Sequence, residues 1–269
     1  MKVTEQPSRW DSLEKMSTRE LLEGISAEDR TVADAVAQAL PQIETLVEGI
    51  VARMKQGGRV FYAGSGTSGR LGVLDASEIP PTFGAEPGLF IGVISGGDKA
   101  LRNSIEGAED DPEGAWRDLA PYAPQPSDTL IGIAASGITP YAVGAIKTAR
   151  EHGLLTACIT CNPDSAVAAE AEVPIVAVVG PEFVTGSTRM KAGTAQKMIL
   201  NMISTSVMIR MGHVRGNKMI DMQLANSKLV DRGTRMVMEE TGITDYETAR
   251  NLLLEHGSVR TAVDKWKRR

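Results

Sequence analysis

A run of glycine and hydroxyl residues, Gly-Ser-Gly-Thr-Ser-Gly at positions 64–69, is the first place where this sequence could bind a ligand. An apolar run ends just before it and a helical pattern follows, so we expect a strand-to-helix turn. Glycines let the backbone approach an anion, and the first turn of a helix offers unpaired N–H groups. The hydroxyls of Ser65, Thr67 and Ser68 can donate further hydrogen bonds, which predicts a phosphate site. A tight turn whose hydroxyls only cap the helix is the alternative.

A second turn of the same kind lies at positions 134–140, with the sequence Ala-Ala-Ser-Gly-Ile-Thr-Pro. It also follows an apolar strand and opens a helix, since proline is favoured at the first helical position. Parallel strands end at the same edge of a sheet, where open α/β sheets bind ligands. We therefore expect Ser136, Gly137 and Thr139 to complete one phosphate site with the first loop. Because no Gly-Lys-Ser/Thr follows the first loop, this site differs from a nucleotide-binding P-loop and uses no lysine.

Two glutamates, Glu78 and Glu109, each lie at the C-terminal end of a predicted helix that follows a strand. Carboxylates that flank one pocket can act as general acid and base when their environments separate their pKa values. The alternative is that both are solvated helix ends, which is common for glutamate. The residue pattern by itself leaves both interpretations open.

A third segment combines hydroxyls and cations ahead of a long predicted helix. Residues 185–188, Thr-Gly-Ser-Thr, can cap that helix, and Arg189 and Lys191 lie close to its start. Cations at a helix N-terminus oppose the helix dipole, so these two do not stabilise the helix but suit an anionic ligand. We assign Ser187, Arg189 and Lys191 to substrate binding, with solvated surface charge as the alternative.

Residues that usually ligate metals are few and scattered. His152, His213 and His256 lie far apart and show no ligand spacing. Cys158 and Cys161 form a Cys-x-x-Cys pair in an apolar segment, where either a redox pair or two buried thiols would fit, and we expect buried thiols. The sequence therefore predicts no metal site.

Strands and helices alternate along the chain, and each predicted strand is a continuous apolar run. This pattern predicts a doubly wound α/β fold, a parallel sheet flanked by helices, with a small C-terminal helical appendage. The expected strands are 60–63, 89–94, 130–134, 155–160 and 173–179. The expected helices are 32–54 (kinked or divided at Pro41), 70–79 (ended by Pro80 and Pro81), 100–109, 141–152, 187–211, and two short helices ending near 256 and 267. We divide the chain into an N-terminal helical arm at 1–48, the α/β domain at 49–212 and a C-terminal helical region at 213–269.

Composition excludes several classes of function. Aromatic residues make up 4% of the chain, too few for stacking platforms, and the net charge of −5 offers no field that attracts DNA or anionic lipid. No apolar stretch has the length of a signal peptide or a membrane span. We therefore expect a cytoplasmic protein with no nucleic-acid and no membrane partner, which binds a small molecule.

The two loops resemble the phosphosugar-binding loops of the sugar isomerase domain, although Ala134 replaces the first serine of that family's second loop. Several longer segments resemble the N-acetylmuramic acid 6-phosphate etherases, within a match that runs from about residue 15 to 235. These segments are 64–72, 74–78, 106–110, 134–137 and 181–194. The last of them reads Pro-Glu-Phe-Val-Thr-Gly-Ser-Thr-Arg-Met-Lys-Ala-Gly-Thr, a signature that the etherases share with the glucokinase regulatory proteins.

The resemblance implies a specific chemistry and assembly. It implies a phosphosugar substrate, N-acetylmuramic acid 6-phosphate, whose D-lactyl ether is eliminated and whose intermediate is then hydrated. It makes Glu78 the proton donor and Glu109 the second acid–base residue. It also implies an enzyme without a metal or organic cofactor, and a homodimer.

Two other functions remain as alternatives on the same domain. The glucokinase regulatory proteins bind phosphosugars without catalysis, but they consist of two such domains in one long chain. An aldose–ketose isomerase needs a base but no leaving group, and the segments around Glu78 and Glu109 fit the etherases better. D-lactate release distinguishes the etherase from both alternatives.

Overall fold

The computed structural model describes residues 2–105 and 107–268, which divide into two compact units. The first unit comprises Met1–Ser77 and Phe90–Thr205, and the second comprises Glu78–Leu89 and Ser206–Arg269. The first unit contains the parallel sheet, so the predicted phosphate loops belong to it.

The sheet of the first unit has five parallel strands in the order β2-β1-β3-β4-β5. The strands are β1 (Val60–Gly64), β2 (Phe90–Ile94), β3 (Thr129–Ile133), β4 (Leu155–Thr160) and β5 (Val173–Val176). β1, β3 and β4 are buried along their whole length, as the continuous apolar runs predict. The predicted α/β fold with a parallel sheet and flanking helices is confirmed.

Eight helices begin in the first unit. They are α1 (Thr18–Asp29), α2 (Val32–Ala37), α3 (Leu40–Met54), α4 (Gly66–Phe83), α5 (Gly114–Leu119), α6 (Pro140–Glu151), α7 (Ala166–Glu170) and α8 (Lys191–Arg210). The predicted division at Pro41 is confirmed, because proline occupies the first turn of α3, where its missing N–H costs nothing. A capping box formed by Ser17 and Glu20 begins α1.

Two predicted helices differ from the structure. α4 does not end at Pro80 and Pro81 but continues to Phe83, and the Gly84 N–H donates to the Pro80 carbonyl to close its last turn. The predicted helix 100–109 is replaced by two short 3-10 turns, Gly97–Leu101 and Ala108–Asp110. Gly107 takes a positive φ of +72°, which an α-helix does not allow, and the Arg70 side chain of α4 binds the carbonyls of Ala100 and Leu101. Glu109 therefore lies in a 3-10 turn, and Glu106 lies outside the described residues.

The second unit packs three helices and a two-stranded hairpin around its own apolar core. The strands are β6 (Val214–Arg215) and β7 (Lys218–Met219), and the helices are α9 (Ser227–Thr241), α10 (Tyr246–His256) and α11 (Val259–Lys267). Each helix is capped at its N-terminus by the side chain before it, from Asn226, Asp245 and Ser258 respectively. The helical character predicted for this end of the chain is confirmed. Across the described residues, every helix is too short or too polar to cross a membrane.

Candidate functional site

The two hydroxyl-rich loops lie side by side, because β1 and β3 are neighbours in the sheet. Gly64 at the end of β1 pairs with Ile133 at the end of β3. Strand order reverses at this point, since β2 lies on one side of β1 and β3 to β5 on the other. This is the position in a doubly wound sheet where ligands bind. The structure therefore brings the first loop and the second loop to one edge, as the sequence predicts.

The first loop opens α4 with its N–H groups unpaired. The Ser65 carbonyl accepts the first helical hydrogen bond, from the Gly69 N–H at 3.2 Å, so the N–H groups between them have no partner within the helix. Gly69 packs so tightly that a Cβ there would lie 2.6 Å from the Gly64 carbonyl oxygen. The glycines thus allow the helix to begin directly against the end of β1, so the N-terminus of α4 lies at the edge of the sheet.

The hydroxyls of the first loop have different environments. Ser65 is buried, and its Oγ has no hydrogen-bond partner in the described part of the chain. Ser68 is also buried, and its Oγ donates to Oε1 of Gln196 on α8 at 3.0 Å. Thr67 is half-buried, with its methyl group facing Gly193. Ser65 therefore has a free donor for a ligand, whereas the Ser68 proton is already in use.

The second loop is held in shape by the strand beside it. The Ala135 carbonyl accepts hydrogen bonds from the Cys161 N–H at 3.1 Å and from Nδ2 of Asn162 at 2.9 Å. Gly137 has a φ of +73°, and a Cβ there would lie 2.3 Å from the Cβ of Ser165. Only glycine fits, so the loop conformation is specific. Asn162 is a residue that sequence reasoning missed, because a polar residue after a strand carries no motif.

Ser136 and Thr139 lie on the accessible side of this loop. Both side chains are half-buried, and Thr139 precedes α6 without capping it. Ser136 Oγ lies 3.5 Å from the Ile138 N–H, a long contact that leaves the hydroxyl proton free. Both hydroxyls can therefore donate to an anion at the sheet edge.

A cavity of about 210 Å³ adjoins the first loop. Its lining consists of Gly66, Arg70, Ser95, Ala100, Ser104, Ile105, Gly107 and Glu109. The Arg70 guanidinium donates to the carbonyls of Ala100 at 2.7 Å and Leu101 at 3.1 Å, which fixes the first 3-10 turn as one wall. The cavity thus places the exposed carboxylate of Glu109 on the same concave surface as the N-terminus of α4.

Glu78 lies near the C-terminal end of α4. Its side chain is exposed on α4, and the residue belongs to the second unit, whereas Glu109 belongs to the first. Each unit taken by itself therefore contains one of the two predicted acid–base residues.

The signature segment is anchored by a buried ion pair. Lys191 is 1% exposed, and its Nζ lies 2.5 Å from Oε2 of Glu28 on α1. Arg9 and the Trp10 Nε1–H also bind Glu28, each at 3.0 Å. Burial raises the pKa of Glu28, but the hydrogen bonds from Lys191 and Trp10 and the two positive charges outweigh it, so the pKa is lowered. The ammonium group of Lys191 therefore pairs with Glu28 inside the protein. Arg189, in contrast, is exposed, and Ser187 is half-buried.

The start of α8 differs from the sequence prediction. The helix begins at Lys191 rather than Ser187, and its first N–H groups are capped by the carboxylate of Glu182. Glu182 accepts from the N–H groups of Lys191 and Ala192, each at 2.9 Å. A carboxylate at a helix N-terminus also satisfies the dipole. Residues 185–188 are thereby free of the capping role that the sequence predicts for them.

A polar cluster inside the first unit holds α4 against β1 and α8. Asp75 is buried and accepts hydrogen bonds from the Tyr62 hydroxyl at 3.0 Å and from Asn201 and Ser204 at 3.1 Å each. Burial raises the pKa of Asp75, although these three donors and the nearby Lys197 oppose the shift. The cluster fixes the orientation of the helix that carries the first loop.

The two cysteines are buried and unbonded, as predicted. Burial raises the pKa of both Cys158 and Cys161 to about 12, so neither thiol is reactive near neutral pH. Within residues 2–105 and 107–268, no three His, Cys, Asp or Glu side chains come together as a metal site would require.

Comparison with known proteins identifies relatives over nearly the whole chain. Residues 42–150 match the family model of the glucokinase regulatory protein N-terminal SIS domain. An N-acetylmuramic acid 6-phosphate etherase of Bacteroides fragilis is 64% identical over 267 residues, which cover 99% of this chain and 95% of that protein. The enzyme of the same name from Porphyromonas gingivalis is 63% identical over 268 residues, which cover 100% of this chain and 97% of that protein. Among solved structures, a phosphoheptose isomerase from Francisella tularensis aligns with a TM-score of 0.55 at 17% identity, covering 71% of this chain and 98% of that one.

Proposed function

This chain belongs to the N-acetylmuramic acid 6-phosphate etherase family, and on that premise we propose that it cleaves the D-lactyl ether of N-acetylmuramic acid 6-phosphate. The products are N-acetylglucosamine 6-phosphate and D-lactate. The observation that carries this proposal is the identity above 60% with etherases over nearly the full length of both chains.

The phosphate of the substrate binds at the edge shared by the two loops. The unpaired N–H groups at the start of α4 and the free hydroxyl of Ser65 supply donors from one side. Ser136 and Thr139 supply donors from the other side, with Thr67 completing the site. Gly137 contributes through its positive φ of +73°, which gives the second loop its shape. Dipoles and hydroxyls in a partly buried site can hold a phosphate without a metal ion.

The carboxylates carry out the proton transfers of the reaction. The sugar opens to its aldehyde form, which acidifies the proton on carbon 2, and a carboxylate removes that proton. The bond between carbon 3 and the lactyl oxygen breaks as that oxygen is protonated, which leaves an α,β-unsaturated aldehyde. Water then adds at carbon 3 and a proton returns to carbon 2, so atoms and charge balance.

We assign Glu78 as the acid for the lactyl oxygen and Glu109 as the base for carbon 2 or for the added water. Glu109 lines the cavity beside the first loop, which supports a role next to a phosphate-anchored sugar. The assignment of Glu78 rests on the resemblance of residues 74–78 to the corresponding etherase motif. Ser187 and Arg189 stay assigned to the substrate, whereas Lys191 acts through the signature segment, which it anchors to Glu28.

A coupled assay of D-lactate tests the function. The pure protein should release D-lactate from N-acetylmuramic acid 6-phosphate and leave N-acetylglucosamine 6-phosphate. A ketose product in place of lactate would indicate an isomerase, and bound but intact substrate would indicate a regulatory binding protein. Either result would refute the etherase proposal.

The proposal extends to location and assembly, with the enzyme acting in the cytoplasm as a homodimer. The resemblance to the etherases supports the dimer, and the first unit exposes leucines that a partner surface could cover, namely Leu22, Leu40 and Leu74. Light scattering at working concentration should give twice the mass of 28.7 kDa. A measured mass equal to that of one chain would contradict the homodimer.

A further inference from the structure

Gln196 contacts the first loop, although no motif in the sequence singles it out. Its side chain is 1% exposed on α8, and its Oε1 accepts the proton of Ser68 at 3.0 Å. Its Nε2 has no hydrogen-bond partner among the residues that the structure describes. Buried donors without partners are rare because they lose their hydration without compensation, so this one requires an explanation.

The direction of this hydrogen bond opposes anion binding. A serine hydroxyl has a single proton, and in this arrangement Gln196 receives it. Ser68 Oγ, which the sequence assigns to the phosphate site, then has only lone pairs left to offer a ligand. A phosphate oxygen in that space needs a donor, as the neighbouring N–H groups provide. The first loop is therefore incompletely prepared for phosphate while the Ser68 proton points to Gln196.

A rotation of the Gln196 amide by half a turn would pair the buried Nε2 and would also release the Ser68 proton. With oxygen and nitrogen exchanged, Nε2 donates to Ser68 Oγ, and the Ser68 proton becomes free to point at the phosphate. The two ends of an amide have nearly the same size, so the exchange needs no repacking. The bond between Gln196 and Ser68 is kept, and the unpaired buried atom becomes a carbonyl oxygen, which is tolerated more often than an unpaired N–H.

We propose that Gln196 is a positioning residue, which directs the Ser68 hydroxyl proton toward the phosphate of the bound phosphosugar. The inference rests on the proposed function for the identity of that phosphosugar. Gln196 acts through Ser68 and not on the ligand itself, because its side chain is 1% exposed and its contact in the first loop is the Ser68 hydroxyl. Its effect should therefore appear in phosphate affinity and should depend on the Ser68 hydroxyl.

Substitutions at position 196 with and without Ser68 test this dependence. In Gln196→Glu the ionised carboxylate can only accept, so it retains the Ser68 proton, and in Gln196→Met the side chain can neither donate nor accept. Calorimetry at pH 8 would measure the Kd for inorganic phosphate and for N-acetylglucosamine 6-phosphate. We expect Gln196→Glu to weaken binding by about tenfold or more and Gln196→Met by a smaller factor, as the loss of a charge-assisted hydrogen bond implies.

The same substitutions in a Ser68→Ala background distinguish positioning from a structural effect. With no hydroxyl to direct, Gln196→Met should weaken binding by less than about threefold. Gln196→Glu should weaken it less than it does when Ser68 is present, because only repulsion between the carboxylate and the phosphate remains. In steady-state kinetics, the weaker binding of the position-196 variants should appear as a higher KM, with kcat changed by less than about threefold. Wild-type affinity in both position-196 variants would overturn the inference, and so would an equal loss in the Ser68→Ala background.

The proposed role of Gln196 and the proposed etherase function can fail independently of each other. If the unaltered protein releases no D-lactate, the etherase proposal fails, whereas phosphate calorimetry still decides the role of Gln196. If lactate is released and the double variants show no coupling, the positioning role fails and the etherase activity stands.

Discussion

At the scale of single residues, the two loops contain hydroxyl and N–H donors that have no partner among the described residues. Ser65 Oγ is buried and unpaired in the described structure, and the hydroxyls of Ser136 and Thr139 can turn outward. A folded protein tolerates such groups when a ligand will satisfy them, since an unpaired buried hydroxyl otherwise destabilises the native state. The same logic reconciles the proposed phosphate site with the net charge of −5, since local donors and not the overall charge would hold the anion.

Ser136→Ala should weaken binding of the phosphorylated substrate, because it removes one donor to an anion from the second loop. A charge-assisted hydrogen bond contributes about 1.5–3 kcal/mol, which corresponds to a rise in KM of roughly 10- to 150-fold. Ser26→Ala, an exposed serine on α1, is the matched control and should leave KM unchanged. The phosphate role would be contradicted if the intact enzyme used the unphosphorylated sugar equally well.

Glu109→Gln and Glu78→Gln should separate the two proton transfers. Glutamine keeps the shape and a hydrogen-bond donor but has no transferable proton, so lactate release should fall by about 10²–10⁴-fold in each. Substrate binding should change little. In Glu109→Gln, either exchange of the carbon-2 proton with deuterated solvent stops, or exchange persists and the unsaturated aldehyde accumulates.

Mass spectrometry of recovered substrate reports the exchange, and a lactate assay reports elimination. Glu44→Gln, an exposed glutamate on α3, is the control for a surface carboxylate. Turnover at the wild-type rate in both Glu78→Gln and Glu109→Gln would show that the two carboxylates are solvated residues without a catalytic role.

At the scale of elements, the candidate site depends on side-chain hydrogen bonds and ion pairs that hold its helices and loops in place. α4 is held by the Asp75 cluster, the second loop by Asn162, and the signature segment by Glu182 and the Glu28–Lys191 pair. Each anchor uses a buried polar group with two or more partners. Such networks stabilise one arrangement of the backbone, because any other arrangement leaves buried polar or charged groups without partners.

Lys191→Met should destabilise the first unit, because it leaves the carboxylate of Glu28 buried with fewer partners. Breaking a buried pair in this way costs about 3–5 kcal/mol. Arg19→Met on the same helix α1 is the control, since its pair with Glu23 is exposed and its loss should cost less than about 1 kcal/mol. Urea unfolding of both variants provides the measurement, and equal midpoints would contradict the anchoring role.

The pH dependence of stability follows from the lowered pKa of Glu28. A carboxylate with a lowered native pKa contributes stability that is fully present above its usual pKa of 4.5. That contribution is lost as the pH falls through the lower pKa of the folded state. Glu28→Gln should therefore show a shallower loss of stability below about pH 4.5 than the intact protein, as measured by thermal unfolding across acid pH. An unchanged acid slope would show that Glu28 does not titrate with folding.

At the scale of the whole molecule, the phosphosugar chemistry should proceed without a metal. The described residues hold no cluster of three metal-ligating side chains, and the phosphate loops supply backbone and hydroxyl donors instead. Dialysis against EDTA should leave the rate of D-lactate release unchanged. Loss of activity that a divalent ion restores would contradict this prediction.

The sequence alone determined the α/β fold, its parallel sheet and the family, because these depend on local periodicity and on contiguous motifs such as 64–72 and 181–194. Apolar runs and capping residues encode backbone hydrogen bonds between near neighbours, so strands β1 to β4 and helix α6 lie close to their predicted bounds. The placement of both phosphate loops at one sheet edge follows from the same pattern. The roles of the predicted site residues stay predictions.

Only the tertiary structure decided which side chains meet. Lys191 pairs with Glu28 across 163 residues of sequence, and Ser68 binds Gln196 across 128. Where the sequence predicts a helix at 100–109, Arg70 on α4 instead binds the carbonyls of Ala100 and Leu101 in a 3-10 turn. No local pattern records such contacts, since the energy of a buried hydrogen bond or ion pair depends on where packing brings its two groups and on how much water packing removes.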